Sequence, residues 1–365
     1  MRDTYDAIVV GGGVAGAHIA SQLRGDVLLI EKNRKILPKD SGIVSKRFTE
    51  IFPKEKKLIK FRISRMECVS PSGMTFDLKS EEPFAYILRR RKFSRFLLNN
   101  AKRNSDVTRE MVQDVKFFRG GATVITNEGK YDTNMVVGCD GSVSAVRKSI
   151  GIANPKLALG IMVKTPRRME GDISVYFNKY FSPDFFSWLI PMNREYGLMT
   201  AVRPKEYFDY FKRNMFLPAG AMYAYMIPFT YTKSYADRAI LAGDACGQNK
   251  PLTGGGIMFS LTGAKHAVQI VNDAIETGRF DANFLSYYEK YWKKDLAWEI
   301  EKQFLIRSIY RKMTNKDIDD LFKSIGPHIE ALENFDYDRF SLAWSKLPRR
   351  KIIGAVLKFL PRMIF

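Results

Sequence analysis

One six-residue stretch, 11–16, restricts the fold of this 365-residue chain more than any other feature. Gly11, Gly13 and Gly16 form the pattern G-x-G-x-x-G between a short apolar run at 7–10 and a helix-compatible stretch reaching about Leu23. A second apolar run, 27–30, then leads into Glu31 and Lys32. Unbroken runs of four apolar residues suit strands buried on both faces, so the unit predicts strand, tight turn, helix and parallel strand. The three glycines serve different needs. Gly11 permits the turn, Gly13 lets the backbone approach a pyrophosphate, and Gly16 lets helix and strand pack closely. The helix start, through Val14 and Ala15, offers unpaired N–H groups and a positive dipole end to phosphates. Glu31, with Lys32 beside it, is placed to accept hydrogen bonds from an adenosine ribose.

This fingerprint does not separate NAD from FAD, but two later segments do. One is Gly138-Cys139-Asp140-Gly141, which follows an apolar run at 135–137. The other runs from the apolar stretch 239–242 through Gly243-Asp244 to Pro251-Leu252-Thr253-Gly254-Gly255-Gly256-Ile257. A buried strand there delivers Asp244 at its C-terminal end, where open α/β sheets bind ligands. An acceptor at that point suits the hydroxyls of a ribityl chain. Gly254, Gly255 and Gly256 then open a helix toward the pyrimidine edge of a flavin, an edge that gains negative charge on reduction. The bland alternatives are a helix cap for Asp244 and an ordinary turn for Asp140-Gly141.

Further along, 74–78 and 84–88 read as a strand pair and 94–102 as a helix. Runs at 112–115, 122–126 and 135–137 are further strands. From 157 to 235 alternating aromatic-rich strands with Pro and Gly turns predict a separate antiparallel sheet, and everything after Asp281 reads as helix. Three scattered cysteines and three separated histidines support neither a disulfide framework nor a metal site. Arg2 and Asp3, followed by a run that breaks at once into glycines, do not resemble a secretory leader. No window offers about 18 uncharged apolar residues for a membrane span. These features lead to the expectation of a cytoplasmic chain.

The order and spacing of the three motifs resemble the aromatic-hydroxylase-like flavoproteins. Within them the chain resembles the geranylgeranyl reductase family, which saturates isoprenoid double bonds with reduced FAD. Phe186-Ser187-Trp188-Leu189-Ile190-Pro191 is similar to the family's aromatic-x-Trp-x-Phe-Pro segment, and Lys250–Gly256 to its archaeal flavin loop. The segment from Tyr287 to Lys294 and the basic helices through Phe322 are similar to the family's C-terminal region. The resemblance implies an α/β fold, α+β in the substrate domain. A Rossmann-like FAD-binding domain (1–156, with a substrate-domain excursion near 60–92, and 236–280) would interleave with an antiparallel-sheet substrate domain (157–235). A C-terminal helical region (281–365) completes it. Arg90 falls where the family's flavin-contacting arginine stands in Arg-x-x-Phe, with Arg89 and Arg91 as neighbouring alternatives. Val112 matches the strand position whose backbone meets the adenine. Ser41-Gly42 departs from the Cys-Gly often found in the family, which removes a thiol role there.

Saturating an isolated alkene takes a hydride and a proton. Flavin N5 supplies the hydride, while the acid is not announced: Tyr225, Tyr223 or water are the candidates. Phe186, Trp188, Pro191 and Tyr225 would line an apolar tunnel for the isoprenoid lipid, against the alternative of ordinary sheet packing. No second strand–glycine–helix unit exists, so the electron donor, NAD(P)H or a ferredoxin-like carrier, has no domain of its own. The formal charge of +20 predicts an anionic partner. Residues 349–365 carry five basic residues, no acidic ones and an apolar face, the pattern of a helix lying on an anionic membrane surface, so peripheral association is expected. Its rival is a helix packed on the protein's own core. Nucleic acid is not the expected partner, since no RNA-binding module is recognisable. The main alternative function is a flavin-dependent monooxygenase or halogenase on the same fold.

Overall fold

The computed structural model describes residues 4–33, 40–330 and 336–339. Its largest sheet has the strand order Tyr235–Ala236, Ala239–Leu241, Lys130–Gly138, Thr4–Val10, Val27–Ile30, Asp106–Thr108. From Ala239–Leu241 to Asp106–Thr108 every neighbouring pair is parallel. The apolar runs are continuous because both faces are covered. Ala7, Val9 and Leu29 pack under the helices Val14–Ala20, Arg90–Ala101, Ile257–Thr277 and Ala282–Lys312. Ile8, Val10, Leu28 and Ile30 face the hairpin Val112–Phe118/Gly121–Thr126 and the short helix Ala145–Ser149.

A second sheet of seven strands runs Ala221–Pro228, Leu157–Lys164, Glu195–Thr200, Ser187–Ile190, Ser174–Tyr176, Arg65–Val69, Thr75–Lys79. It is antiparallel except where Ser174–Tyr176 lies parallel to Arg65–Val69. A three-stranded sheet, Ile43–Ser45, Ala85–Leu88, Ile59–Ile63, joins the two. The pairing expected between 74–78 and 84–88 does not form. Thr75–Lys79 pairs with Arg65–Val69, while Ala85–Leu88 pairs with Ile43–Ser45 and Ile59–Ile63. Each of these strands is only three to five residues long, so local pattern leaves the partner open.

The stretch read as all strand also holds a helix, Pro204–Asn214. Its aromatic residues mimic a strand, yet Phe208 and Phe211 are three apart, the spacing of one helix face, and both are buried. Pro204 stands in the first turn, where its missing N–H costs nothing. After residue 281 the helices Ala282–Lys312 and Asn315–Glu330 follow as expected, and 336–339 is a non-helical segment. Residues 349–365, expected to lie on a membrane, fall outside the described residues. Among the described residues no helix is long and apolar enough to cross a membrane.

Candidate cofactor and substrate site

The glycine turn has the geometry its spacing demands. Gly11 has φ +102°, and a Cβ on it would meet the carbonyl oxygen of Cys139 at 2.3 Å. A Cβ on Gly16 would sit 1.9 Å from the Gly11 carbonyl oxygen, so strand and helix touch there. Around Gly13, by contrast, a Cβ would meet nothing within 4 Å. The chain therefore leaves open the point where a pyrophosphate is expected, and no side chain caps the helix behind it. Glu31 is buried at the end of its strand. One carboxylate oxygen accepts from Gly12 N–H at 2.7 Å and the other from the backbone and side-chain nitrogens of Asn33, both at 2.7 Å. The carboxylate is thus tied to the turn it serves, and the oxygen that accepts from Gly12 keeps a second lone pair. Lys32 beside it is exposed.

Asp140 uses its side chain inward. Its carboxylate accepts from Ser144 Oγ, Ala145 N–H and Val146 N–H at 2.5, 2.7 and 3.2 Å, which caps the helix Ala145–Ser149. Burial pushes its carboxyl up, and these hydrogen bonds oppose the push. Outward, the segment presents the backbone of Gly141, at φ +88° with open space around it. Val112, half-buried, begins the strand Val112–Phe118. Of the three consecutive arginines only Arg90 is drawn inward. Its Nε donates to Asp40 at 2.8 Å, and Asp40 also accepts from Gly42 N–H at 2.9 Å. Arg90 and Asp40 together fix the 40–42 loop to the start of Arg90–Ala101. No sequence motif marks Asp40.

The second glycine loop is held from behind by further residues that no motif marks. Asp244 stands just past the strand Ala239–Leu241 and accepts from Asn249 Nδ2 at 3.3 Å. Gly254 has φ +68°, and the helix Ile257–Thr277 starts at Gly256 without a side-chain cap. Lys250 Nζ, buried, donates to Asp338 at 3.0 Å and to the Tyr337 carbonyl at 3.2 Å. From Ala282–Lys312, Gln303 accepts from Leu252 N–H at 3.3 Å and Arg307 donates to the Pro251 carbonyl at 3.3 Å. Glu299, Gln303 and Arg307 recur every four residues, a buried polar stripe continuing the apolar one above it.

Phe186 and Trp188 lie on one face of the second sheet, ring centroids 6.3 Å apart, and Phe186 stacks on Phe185 at 4.5 Å. A Cβ on Gly197 would meet the Trp188 ring at 2.6 Å, so the ring packs directly against that glycine. Pro191 is buried just after the strand Ser187–Ile190. Tyr225, on the edge strand Ala221–Pro228, is half-buried. Burial pushes its phenol up, with Tyr223 and Asp40 adding to the push. Ser41 and Trp188, expected from separate motifs, meet at one residue that no motif marks. Glu195, fully buried, accepts from Ser41 Oγ and, at 3.3 Å, from Trp188 Nε1 on one oxygen. Its other oxygen accepts from Lys164 Nζ and, at 3.0 Å, from Asn193 Nδ2. Nothing in the local pattern of a strand's first residue flags it.

No protein-family profile matches the chain. Curated relatives do. A digeranylgeranylglycerophospholipid reductase from Methanothermobacter thermautotrophicus is 28% identical over 353 residues, 88% of this chain and 91% of that protein. The protein of the same name from Methanocaldococcus jannaschii is 26% identical, over 93% of this chain and 94% of its own. Among solved structures, a geranylgeranyl bacteriochlorophyll reductase-like protein from Thermoplasma acidophilum superposes with a TM-score of 0.86 at 20% identity, covering 98% of this chain and 99% of that one. The myxobacterial chondrochloren halogenase, described as an FAD-dependent halogenase, gives 0.66 at 16% identity over 94% and 97%. The α/β fold of the aromatic-hydroxylase type and the resemblance to the geranylgeranyl reductases, both read from the motifs, are borne out.

Proposed function

We infer that the chain is a geranylgeranyl reductase: an FAD-dependent oxidoreductase that hydrogenates carbon–carbon double bonds in the isoprenoid chains of membrane lipids or their precursors. The observation that carries this reading is the nearly full-length match to archaeal digeranylgeranylglycerophospholipid reductases. The structural match points the same way, stronger for the reductase-like protein than for the halogenase, at 0.86 against 0.66.

The residues present fit FAD, because the open space at Gly13 lies where the pyrophosphate would approach the backbone. Gly11, Gly13, Val14, Ala15 and Gly16 would hold the pyrophosphate, with Glu31 and Lys32 at the adenosine ribose and Val112 at the adenine. Asp244 and Gly243 would hold the ribityl chain, with Asp140-Gly141 closing the far side. Pro251, Gly254, Gly255, Gly256 and Ile257 would face the pyrimidine edge, and Ser41, Gly42 and Arg90 the remaining rim of the ring. When bound and reduced, FAD supplies a hydride from N5. Phe186, Trp188, Pro191 and Tyr225 would then orient the isoprenoid chain and keep water from it. Residues 349–365 would attach the protein peripherally to the cytoplasmic face of an anionic membrane. Electrons would come from NAD(P)H or a ferredoxin-like carrier.

The test is anaerobic incubation of the FAD-loaded, chemically reduced protein with an unsaturated archaeal lipid, followed by mass spectrometry. Products heavier by two hydrogens per double bond are expected. Substrate-accelerated oxygen consumption without a mass gain would favour the monooxygenase or halogenase reading instead. Sedimentation with anionic liposomes, lost on deleting residues 349–365, tests the membrane attachment.

A further inference from the structure

Four cations meet at one end of the seven-stranded sheet, and we propose that Lys60, Arg89, Lys164 and Arg194 bind the phosphate of the lipid's headgroup. The proposal rests on the reductase reading and deepens it, naming the polar end of the substrate that no motif addresses. Asn193, buried just before the strand Glu195–Thr200, links the group. Its Oδ1 accepts from Lys60 Nζ at 2.8 Å, and its Nδ2 donates at 3.0 Å to the Glu195 oxygen that also accepts from Lys164 Nζ. Arg194 follows it at φ +52°, a left-handed conformation uncommon outside glycine. Lys60 is also set apart. Where Ile59–Ile63 pairs with Ala85–Leu88 the register slips between Ile59 and Phe61, so Lys60 is the extra residue of a bulge. Bulges re-aim side chains and are frequent beside functional sites. Arg89, whose N–H donates to the Leu58 carbonyl at 2.7 Å, stands just before the helix Arg90–Ala101. That helix has neither a side-chain cap nor an acidic residue in its first turn, so its positive end adds to the cations.

Like charges gathered this way repel one another. The Lys60 ammonium is held below the usual lysine range by partial burial first, then by Lys164, Arg89 and Arg194, with Glu195 opposing. The carboxylates of the region are already engaged. Glu195 is buried among Lys164, Asn193, Ser41 and Trp188, and Asp40 accepts from Arg90 Nε at 2.8 Å. Asp40 and Arg90 cancel, so four cations face the single charge of Glu195. Arg194 gives one nitrogen to the Pro166 carbonyl at 3.2 Å and keeps the rest of its fork. Lys60, Arg89 and Arg194 are exposed, within reach of an anion from solvent. A phosphate relieves the repulsion and accepts from ammonium and guanidinium donors at several oxygens.

Position selects the source of the phosphate. In the register of the sheet, Lys164 and Glu195 share a face with Trp188, Tyr223 and Tyr225. On that same face Ile227 and Met199 reach the second glycine loop, where a Cβ on Gly254 would meet them at 3.6 and 3.2 Å. Ile227 pairs with Ala158, six residues before Lys164, so about 20 Å of strand separates the glycine loop from the cations. A lipid whose phosphate rests on the cations would lay its isoprenoid chain along Trp188 and Tyr225 toward the glycine loop. A free phosphate uses none of that face.

The experiment titrates the full-length, FAD-loaded protein calorimetrically, with the flavin kept oxidised so that nothing turns over. The ligands are digeranylgeranyl glycerophospholipid and headgroup-free digeranylgeranylglycerol, each in detergent, and inorganic phosphate alone. Wild type is expected to bind the phospholipid at least about tenfold more tightly than the neutral lipid, and inorganic phosphate weakly. Lys60→Gln and Arg194→Asn should each cut that preference by about tenfold, the worth of one charge-assisted hydrogen bond. Asn suits the left-handed backbone at 194, and melting temperatures check that both variants fold. Should Lys60→Gln fail to fold, Arg194→Asn alone decides. Lys130→Gln, an equal loss of charge at an exposed residue outside the cluster, should keep the preference. Added salt should erode it in wild type. Equal wild-type affinities for the two lipids, or a preference that survives both cluster variants, would overturn the site and leave the reductase reading standing. Inorganic phosphate binding as tightly as the phospholipid would overturn the headgroup as the source. A preference that the variants abolish, in a protein that saturates neither lipid once reduced, would support the site and overturn the reductase reading.

Discussion

Arg307 and Asp184 face each other at 2.8 Å with side chains only 1% and 4% exposed. The guanidinium lies 3.9 Å from the centroid of Phe229 and 4.8 Å from that of Phe185, and also donates to the Pro251 carbonyl. Asp184 in turn accepts from Thr200 Oγ1 and from Ala201 N–H. One buried pair therefore ties the long helix Ala282–Lys312 to the seven-stranded sheet and to the second glycine loop at once.

Replacing Arg307 by Met should strand the Asp184 carboxylate without a counter-charge. A loss of about 3–5 kcal/mol in unfolding free energy is expected, read from urea denaturation. The double variant Arg307→Met, Asp184→Asn should lose less than Arg307→Met alone, because no unpaired charge then remains. A double variant no more stable than that single one would show that the pair matters through packing only.

Gly16 and Gly13 should separate folding from cofactor binding. Gly16→Ala puts a Cβ 1.9 Å from the Gly11 carbonyl oxygen, so the strand–helix contact must open and the melting temperature of the FAD-free protein should fall. Gly13→Ala meets nothing within 4 Å, so that protein should fold normally and bind FAD more weakly. Flavin fluorescence titration checks the second expectation, and equal affinities for wild type and Gly13→Ala would contradict it.

The contrast between these two glycines shows how far the sequence can be read. Gly11, Gly13, Gly16 and Glu31 are legible because chemistry and local geometry coincide within about twenty residues of chain. So are the buried runs 7–10 and 27–30, since a strand covered on both faces must be apolar throughout. The partners of 74–78 and 84–88, and the helix Pro204–Asn214, are not legible, because short aromatic segments satisfy strand and helix patterns alike. Asp40, Glu195, Gln303, Arg307 and Asp338 are invisible for another reason. Each acts through a partner distant in sequence: Glu195 meets Ser41 154 positions away, and Asp338 meets Lys250 across 88.

Asp338→Ala should loosen the second glycine loop. Asp338 accepts from Lys250 Nζ and from Ser45 Oγ, and a Cβ on Gly255 would already sit 2.9 Å from Lys250 Cε. Leaving Lys250 buried without its carboxylate should cost about 3–5 kcal/mol. FAD affinity should fall with it, because Lys250 would no longer be anchored beneath the glycines. Isothermal titration with FAD alongside a thermal melt checks both parts.

Acid should destabilise the fold partly through His18. Burial lowers its pKa from 6.5 to about 4, and Gln22 Nε2 lies 3.0 Å from its Nε2. The unfolded chain then binds the extra proton first, so native stability contributed by this group is present above pH 6.5 and is lost as pH falls toward 4. His18→Gln should flatten that part of the stability–pH curve; an unchanged slope between those values would count against it.

The most direct measurement is single-turnover reduction of digeranylgeranyl glycerophospholipid by the FAD-loaded protein, chemically reduced in D2O under anaerobic conditions, with the product read by mass spectrometry. Because flavin N5–H exchanges with solvent, each saturated bond of the product is expected to carry two deuteriums. A lipid recovered unchanged while the flavin is oxidised would contradict the reductase reading.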